Sequence, residues 1–388
     1  MRILFLTWRD TRNPEGGGSE VYVENVASSL AAAGHDVTIF CALYSGAAPV
    51  EVIDGVRFVR RGTKLGVHVE AVRYLRSPTF GTPDVIVDVQ NGIPFFARPV
   101  RRDIPTVVLV HHVHREQWPV VYGPLRSRIG WALESRLSPR LYRECLYVAV
   151  SRRTKAELES IGVAADRVEV IYNGTSPAPA VSDTKADQPT VLVLGRLVPH
   201  KQVEHVLRAA QVLRRRIPDL RIRIIGDGWW STSLRQVAQD LGVANTVDFL
   251  GFVDEQTKHQ EIANSWVLAL PSLKEGWGIV VMEAAQQGVP TIAYRDAGGV
   301  TESIVDTETG LLARDEPEFS THLEALLGDE TLRKQMGENA REHATRYTWQ
   351  ETSAAFADTL ARAANRSRLS VSPADPVHLG HPLEVERH

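Results

Sequence analysis

Short apolar runs alternate with segments of helical periodicity in the first half of the chain. The apolar run at residues 3–6 is followed by a polar loop that ends in three glycines at residues 16–18. Ser19 stands where a helix N-cap is expected, and Gly34 is typical of a helix end. The residues between them that recur at helical spacing and are expected to face inward are Val21, Val26, Leu30 and Ala33.

The next apolar run, at residues 37–40, completes a strand–helix–strand unit, which is the building block of a parallel sheet. Later runs are dense in Val, Ile and Leu, as in strands that are buried on both faces. These further strands are expected at residues 84–89, 106–110 and 146–150.

The alternation stops at residues 176–189, where three prolines and only one large apolar residue, Val181, predict a linker. It then restarts. Strands are expected at residues 191–194, 221–225, 246–249, 267–270 and 291–293, and helices at 203–215, 232–241, 256–263, 279–287 and 323–327.

The pattern therefore predicts an α/β protein with two Rossmann-like domains, residues 1–178 and residues 190–345. Residues 346–365 are expected to form a helix that packs back toward the first domain, and residues 366–388 a flexible tail. In open α/β sheets, ligands bind at the carboxyl ends of the strands, where helix N-termini favour anions. Two such domains thus predict a cleft with a phosphate site.

Composition sets the broad class. The 388 residues are 43% hydrophobic and 23% charged, which fits a globular chain of two or three domains. No apolar run reaches the roughly 18–20 residues that span a bilayer, and the first ten residues are too short and too weakly basic for a signal peptide. Two cysteines give no disulfide framework, so a cytoplasmic location is expected.

Charge is unevenly distributed. The net charge of -3 argues against general nucleic-acid binding, yet residues 1–175 carry 22 Lys and Arg against 18 Asp and Glu. This excess suits an anionic partner, such as a phosphorylated acceptor or a membrane surface. A chance scatter of surface charge explains it equally well, and both interpretations stay open.

The first chemical motif follows the expected strand at residues 191–194. Gly195 permits a tight turn, and Arg196 and Lys201 lie on the loop that leads to the next helix. Two cations on a loop that faces a cleft suit a diphosphate, whereas isolated surface cations would carry no function.

The second motif is a loop that opens a helix after the strand at residues 267–270. Gly276 and Gly278 allow close approach of the backbone, so that Ile279 and Val280 offer free N–H groups to a phosphate. Glu283 lies within that helix, where a carboxylate accepts hydrogen bonds from ribose hydroxyls or simply complements the helix dipole. Glu275 lies in the loop and has the alternative of an ordinary surface acid.

Together these residues resemble a known family. Glu275 and Glu283, with seven residues between them, are similar to the E-x7-E motif of retaining glycosyltransferases of family 4, which have the two-domain GT-B architecture. The resemblance covers about residues 1–360. The other matching segments are Gly16-Gly17-Gly18, Tyr172-Asn173-Gly174, Gly195-Arg196-Leu197 with Lys201, Gly226-Asp227-Gly228 and Gly251-Phe252-Val253.

The resemblance implies roles for individual residues. Arg196 and Lys201 would hold the donor diphosphate, Glu283 the ribose, and Glu275 the hydroxyls of the transferred sugar. The remaining donor contacts that it implies are Gly17 and Gly18 across the cleft, Gly226, the backbone at Val253 for the nucleobase, and Gly276, Gly278, Ile279 and Val280 for the phosphates.

A histidine cluster follows the strand at residues 106–110, where the family places a histidine beside the sugar. Strand alternation favours His111 over His112, although His114 is also near. The spacing does not supply a metal geometry, and a hydrogen-bonded core histidine is the alternative for His111. The resemblance implies catalytic roles for His111, Arg196, Lys201 and Glu275.

The family resemblance also implies a mechanism. Cations and amides stabilise charge on the departing diphosphate, and a donor phosphate oxygen takes the acceptor proton in a front-face attack. No enzyme nucleophile or cofactor is then needed. The chain contains no Asp-x-Asp motif, so no divalent metal is implied. The donor is expected to be a UDP- or GDP-sugar, and the acceptor is left open.

Acceptor recognition is expected in the first domain. Residues 118–144 interleave five arginines with Trp131, Leu133, Leu137 and Leu141, which suits an amphipathic helix on a membrane or against an anionic acceptor. A solvated face packed on a core is the alternative.

Two other enzyme classes share these features. A nicotinamide-dependent oxidoreductase needs G-x-G-x-x-G after a strand, and the segment that begins at Gly226 lacks the third glycine. A nucleotide-sugar epimerase of the same architecture remains as an alternative. Trp277 and Tyr294 are candidates for sugar specificity or for packing.

Overall fold

The computed structural model describes residues 1–64, 66–77, 80–182 and 184–370, and the side chains up to residue 365. The first sheet has the strand order β3-β4-β2-β1-β5-β6-β7-β8 and is parallel except at the β3–β4 pair. Its strands are β1 (Arg2–Leu6), β2 (Asp36–Cys41), β3 (Val50–Ile53), β4 (Val56–Arg60), β5 (Val85–Gln90), β6 (Thr106–Val110), β7 (Leu146–Ala149) and β8 (Val168–Val170).

The second sheet is parallel throughout, with the order β11-β10-β9-β12-β13-β14. Its strands are β9 (Thr190–Leu194), β10 (Arg221–Ile225), β11 (Val247–Gly251), β12 (Val267–Leu270), β13 (Thr291–Tyr294) and β14 (Gly310–Ala313). Both sheets reverse strand order next to their first strand, β1 or β9, and such switch points are where open α/β sheets bind ligands. The expected α/β class with two Rossmann-like sheets is confirmed.

Helices cover the sheets. Those of the first half are α1 (Gly18–Ala32), α2 (Val67–Arg76), α3 (Ala97–Val100), α4 (Gln117–Val121), α5 (Pro124–Ala132), α6 (Ser138–Leu141) and α7 (Arg152–Ser160). Those of the second half are α8 (Glu204–Leu213), α9 (Ser231–Asp240), α10 (Glu255–Asn264), α11 (Ile279–Gln286), α12 (Val300–Ser303), α13 (Glu316–Gly328), α14 (Glu330–Ala344) and α15 (Trp349–Ser370).

Helix α1 begins two residues earlier than a Ser19 cap implies, so the Ser19 cap is wrong. The N-cap is Gly17, and the Glu20 carboxylate accepts a hydrogen bond from its backbone N–H at 2.8 Å. The inward face also shifts, because Ala33 is exposed and Val21 only half-buried. The residues that α1 buries are Glu20, Tyr22, Val23, Val26, Ala27 and Leu30.

The segment at residues 118–144 does not form one helix. Helix α4 ends at Val121, and a second helical stretch runs from α5 through a π-helical turn at Leu133–Leu137 into α6. Tyr122 and Gly123 separate the two pieces, and Pro124 begins the second, since proline favours the first turn of a new helix.

Helix α15 returns to the first sheet. Phe356 packs against Phe5 of β1, with ring centres 6.0 Å apart, and against Tyr22 of α1 at 6.1 Å. The helix continues to Ser370, so residues 366–370 are helical and not part of a loose tail. The rest of the predicted tail, residues 371–388, lies outside the described residues.

The two halves share an aromatic contact beneath the cleft. The buried Trp277 ring lies 4.7 Å from Tyr172 and 4.9 Å from Tyr347, measured between ring centres. Within the described part of the chain, none of the helices has the length and apolarity required to cross a membrane.

Candidate active site

Arg196 crosses from the second domain to the glycine loop of the first. It follows Gly195, whose φ of 148° a side chain rarely adopts. Nη1 of Arg196 donates to the Glu15 carbonyl at 3.3 Å, and a Cβ on Gly17 would lie 3.4 Å from Nε of Arg196. Burial and the guanidinium of Arg9 lower the pKa of Arg196. A bound anion would oppose both effects, so this is a favourable place for a phosphate.

Lys201 and Glu275 form an ion pair in the same crevice. Lys201 ends the 3₁₀ turn Pro199–Lys201, and its Nζ lies 2.5 Å from Oε1 of Glu275, with both side chains largely buried. Burial alone would raise the pKa of Glu275, but the Lys201 ammonium outweighs it and the net pKa is below the ordinary value. The Glu275 carboxylate is therefore ionised and able to accept hydrogen bonds from sugar hydroxyls.

The N-terminus of α11 faces the glycine loop. Gly278 is its N-cap with a φ of 86°, so the helix starts at Ile279 and its first amides have no intrahelical acceptor. A Cβ on Gly18 would lie 3.3 Å from Cδ1 of Ile279. The first-turn amides at Ile279 and Val280 therefore lie near the glycine loop, in the position that suits a phosphate.

The backbones of the two domains also touch. A Cβ on Gly276 would lie 2.4 Å from the carbonyl oxygen of His111, so the close approach requires glycine at this position. Gly276 thus acts as a contact point between the domains, in addition to its place beside α11.

Glu283 has a cationic partner that the sequence analysis missed. Nζ of Lys258 in α10 lies 2.8 Å from Oε1 of Glu283 and 2.7 Å from Oε2 of Glu255. Glu255, His259 and Glu283 present possible ligand atoms within 4.8 Å of one another. Because the Lys258 ammonium lies between the two carboxylates and pairs with both, the arrangement favours an ion-pair network over a metal site.

The loops after β10 and β11 meet at the same edge. The N–H of Gly226 donates to the carbonyl of Gly251 at 2.8 Å, and a Cβ on Gly226 would lie 2.1 Å from the carbonyl oxygen of Gly195. Val253 follows and is half-buried against the strand ends. Gly226 therefore lies against the backbone of Gly195, and Val253 lies two residues beyond Gly251 at the same edge.

Among the three clustered histidines, His111 has the unpaired ring. It is buried, its ring lies edge-on to Tyr22 with centres 5.4 Å apart, and its Nε2 has no hydrogen-bond partner. Burial, with a smaller effect from His114, lowers the pKa of His111 to about 3. The other two are engaged, because Nε2 of His112 lies 3.1 Å from Oε1 of Gln117 and Nδ1 of His114 lies 3.0 Å from Oε1 of Glu134.

Glu134 is a second residue that the sequence analysis missed. It lies in the π-helical turn and is buried, and its carboxylate accepts from the His114 backbone N–H at 3.0 Å and from Nε1 of Trp118 at 2.7 Å. π-Helical turns are frequent at functional sites. A lone acid in the apolar stretch at residues 131–137 was the available signal.

An ion pair and a pair of hydrogen bonds to a carboxylate join the domains next to the cleft. The buried ammonium of Lys274 pairs with Glu157 of α7. The Glu302 carboxylate accepts from the first backbone N–H groups of α7, at Arg152 (3.0 Å) and Arg153 (2.9 Å). Neither residue belongs to a sequence motif, and both depend on partners far along the chain.

The two candidate specificity residues are engaged in packing. Trp277 is buried between the tyrosines described above, and the hydroxyl of Tyr294 lies 2.6 Å from Nδ1 of His205. The packing interpretation therefore accounts for both.

Comparisons with known families agree with this geometry. Residues 16–179 match the family described as Glycosyltransferase Family 4, and residues 177–343 match Glycosyl transferases group 1. The chain is a family 4 glycosyltransferase. The two family matches favour a glycosyltransferase over the oxidoreductase and the epimerase.

One relative supports the same assignment over most of both chains, and a second match is partial. A GDP-mannose-dependent phosphatidylinositol monomannoside mannosyltransferase of Mycolicibacterium smegmatis is 29% identical over 381 residues, 89% of this chain and 95% of that protein. An exopolysaccharide phosphotransferase of Streptomyces coelicolor is 36% identical over 208 residues, 52% of this chain but only 21% of that protein.

Solved structures show the GT-B fold. Sucrose-phosphate synthase of Thermosynechococcus elongatus superposes with a TM-score of 0.78 at 18% identity, over 96% of this glycosyltransferase and 100% of that chain. HepE of Anabaena in complex with UDP-glucose gives 0.72 at 20% identity, over 93% and 100%. The two Rossmann-like domains thus have the GT-B arrangement.

Proposed function

We propose that this glycosyltransferase moves a hexosyl unit, of glucose, mannose or N-acetylglucosamine type, from a nucleotide diphosphate sugar to an acceptor hydroxyl, with retention of anomeric configuration. The observation that carries the proposal is the convergence of Arg196, the Lys201–Glu275 pair and the α11 N-terminus on one crevice. Glycolipid, polysaccharide and glycosylated-metabolite synthesis are the settings that such a reaction serves.

Leaving-group stabilisation is the main catalytic effect in this proposal. Arg196, Lys201 and the amides at Ile279 and Val280 stabilise negative charge on the departing diphosphate, and they do so most in the transition state. Because Arg196 approaches Gly17 and Ile279 approaches Gly18, the glycine loop closes the opposite side of the phosphate site.

Sugar positioning falls to Glu275 and His111. The ionised Glu275 accepts from hydroxyls, and the neutral His111 ring has a free Nε2 for one more hydrogen bond. Glu283, fixed by Lys258, holds the ribose hydroxyls. The acceptor proton passes to a donor phosphate oxygen, so we propose neither an enzyme nucleophile nor a divalent metal.

A thermal-shift panel of UDP-, GDP-, ADP- and TDP-sugars tests the donor. Binding raises apparent stability by RT ln(1 + [L]/Kd), about 2.7 kcal/mol at a hundredfold excess over Kd. GDP-mannose and UDP-glucose are the first candidates, since a relative uses the former and a structural neighbour binds the latter. If no nucleotide sugar stabilises the protein, the proposed reaction is wrong.

Turnover with the donor so found tests the chemistry. Transfer should persist in EDTA, and the product should keep the anomeric configuration of the donor by NMR. Loss of transfer in EDTA that added Mg²⁺ restores would contradict the metal-independent mechanism, and an inverted product would contradict retention.

The first domain also carries a surface that suits an anionic membrane. The exposed side chains of α4 and α5 include Leu125 and Ile129, at 72% and 53% exposure, beside Val120 and Val121. The neighbouring exposed arginines are Arg126, Arg128, Arg136 and Arg140. Apolar residues that insert, with cations beside them, are typical of peripheral membrane contact. We therefore propose that the protein acts in the cytoplasm and contacts the inner face of the membrane through this surface.

Co-sedimentation with phosphatidylglycerol-containing liposomes tests this surface. The double variants Leu125→Ser/Ile129→Ser and Arg136→Glu/Arg140→Glu should each lower the bound fraction, the second most strongly at low salt. Val212→Ser, an exposed apolar residue of the second domain, is the matched control. If all variants bind the liposomes equally, these side chains form a solvated face and do not contact the membrane.

A further inference from the structure

Two cations of the first domain converge on a single carboxylate oxygen at the edge of the cleft. Oε2 of Glu15 lies 3.2 Å from Nη1 of Arg9 and 2.6 Å from Nζ of Lys64. Arg9 comes from the loop after β1 and Lys64 from the loop after β4, so two separate chain segments build the arrangement. Neither Arg9 nor Lys64 takes part in the donor and sugar contacts proposed above.

Trp8 fixes both cations in place. The guanidinium carbon of Arg9 lies 4.7 Å from the centre of the Trp8 ring, and Nζ of Lys64 lies 5.8 Å from it. Nε1 of Trp8 also donates to the Lys64 backbone carbonyl at 2.7 Å. Cations over an aromatic face are held by the ring quadrupole, so the pair is preorganised.

Arg9 is a buried cation that lies between two carboxylates. Its side chain is 7% exposed, and its Nε, which lies 3.5 Å from Oε1 of Glu20, has no hydrogen-bond partner. Because this nitrogen and Oε1 of Glu20 are both buried and face each other, Glu20 balances the charge on this side of the guanidinium. Nη1, which meets the half-exposed Glu15, is therefore the Arg9 donor that faces the cleft.

The position of Glu15 relates this cluster to the reaction. Its carbonyl accepts from Arg196 of the second domain, and the glycine loop begins at the next residue. Any anion that replaces the Glu15 carboxylate therefore lies next to the donor phosphate site. Half of the Glu15 side chain is exposed, so the carboxylate is free to turn outward.

We propose that Arg9 and Lys64 form the subsite for a phosphate ester of the acceptor, with the Glu15 carboxylate holding this place until the acceptor binds. The inference rests on the proposed transfer reaction and adds the acceptor's chemical class to it. A phosphate offers more oxygens and more charge than a carboxylate, so it can meet Nη1 of Arg9 and Nζ of Lys64 at once. The phosphate ester is either soluble or part of a lipid headgroup.

The test compares inositol 1-phosphate with myo-inositol, a pair that differs only in the phosphate. Binding is measured by calorimetry on the full chain saturated with its nucleotide diphosphate. Lys64→Met should weaken inositol 1-phosphate binding about tenfold, because a charge-assisted hydrogen bond is lost. Glu15→Gln should strengthen it severalfold, because the internal competitor loses its charge. Arg57→Met, an exposed cation of β4, is the matched control for charge in the same domain.

Several results would overturn the subsite. These are inositol and its phosphate binding alike, equal weakening by Arg57→Met, or no binding by the wild-type protein and Glu15→Gln at millimolar ligand. Equal weakening of the nucleotide diphosphate by Lys64→Met would assign the cations to the donor instead. Because the donor is measured separately, failure of the subsite is distinguishable from failure of the transfer reaction.

A second arm separates the two sources of phosphate. Vesicles that contain phosphatidylinositol compete with inositol 1-phosphate if the acceptor is a lipid headgroup, and do not if it is soluble. Either result supports a phosphate subsite only if Lys64→Met weakens the corresponding binding, that of the vesicles or that of inositol 1-phosphate. If Lys64→Met leaves the binding of both inositol 1-phosphate and the vesicles unchanged, the proposed phosphate subsite is wrong.

Discussion

The ammonium of Lys201 and the carboxylate of Glu275 lie 2.5 Å apart, with both side chains largely shielded from water. They come from the two loops that the motifs single out, after β9 and after β12. The Lys201 ammonium lowers the pKa of Glu275, so a donor that enters the crevice meets a cation and an anion side by side. The cation suits the leaving diphosphate and the anion suits sugar hydroxyls.

Lys201→Ala should lower kcat by at least tenfold. A preorganised donor aimed at developing charge contributes about 3–4 kcal/mol in favourable cases, and the variant also leaves Glu275 buried without its partner. Steady-state kinetics at saturating donor measure the effect, with the exposed Lys334→Ala as control. Near-normal kcat would remove Lys201 from the mechanism.

Glu283→Gln should reduce the preference for a ribose over a 2′-deoxyribose nucleotide. The carboxylate lies 2.8 Å from Lys258 and keeps a second oxygen for the ribose hydroxyls. Competition by the nucleoside diphosphate and its 2′-deoxy form measures the preference, and Glu338→Gln on α14 serves as control. An unchanged ratio of the two inhibition constants would place Glu283 outside the ribose site.

His111→Gln should make stability less sensitive to acid. The pKa of His111 is lowered to about 3 in the folded protein, while the unfolded chain binds a proton near pH 6.5. The unfolded state therefore binds more protons between these values, and buried His111 weakens the fold as pH falls below 6.5. Melting temperatures at pH 7.5 and pH 5.0 should differ less in the variant than in the wild type.

The neutral His111 also predicts a feature of the rate. The pH profile of kcat should show no ionisation of this residue between pH 5 and 8. A limb in that range that disappears in His111→Gln would show that the ring titrates during turnover.

Gly276→Ala should impair closure of the cleft. The new Cβ would lie 2.4 Å from the His111 carbonyl oxygen, which is backbone and cannot rotate away. Separation of the domains should lower kcat/KM at least tenfold, since small displacements at a reacting centre are costly. Gly328→Ala meets nothing within 4 Å and is the control. Equal activity of both variants would show that the contact is dispensable.

Glu302→Ala should destabilise the domain interface. Its carboxylate accepts two backbone N–H groups at the start of α7 and the Tyr172 hydroxyl at 2.9 Å. Loss of a comparable cap costs about 1–2 kcal/mol, equivalent to roughly 2–4 °C in melting temperature. Scanning calorimetry compares it with the exposed Glu308→Ala, whose melting temperature should stay at the wild-type value.

Much of the fold could be predicted from local sequence patterns. The apolar runs that became β1, β5 and β6 are buried on both faces, so burial and strand propensity agree. The β3–β4 hairpin was missed because β3 has no fully buried residue and the five residues of β4 include Arg57 and Arg60, which interrupt its apolar pattern. Turn glycines were equally readable, since Gly195 and Gly278 adopt backbone angles that other residues avoid.

By itself, the sequence determined the two-domain α/β class, the family, the loops that bear Arg196, Lys201 and Glu275, and the helix that bears Glu283, because periodicity and motif spacing are local properties. Only the tertiary structure decided which groups neutralise or orient these residues. Lys258 reaches Glu283, Glu134 reaches His114 and Arg9 meets Lys64 beside Glu15 through contacts between separate elements. Such pairings depend on how strands and helices pack, and no short window of sequence contains both partners.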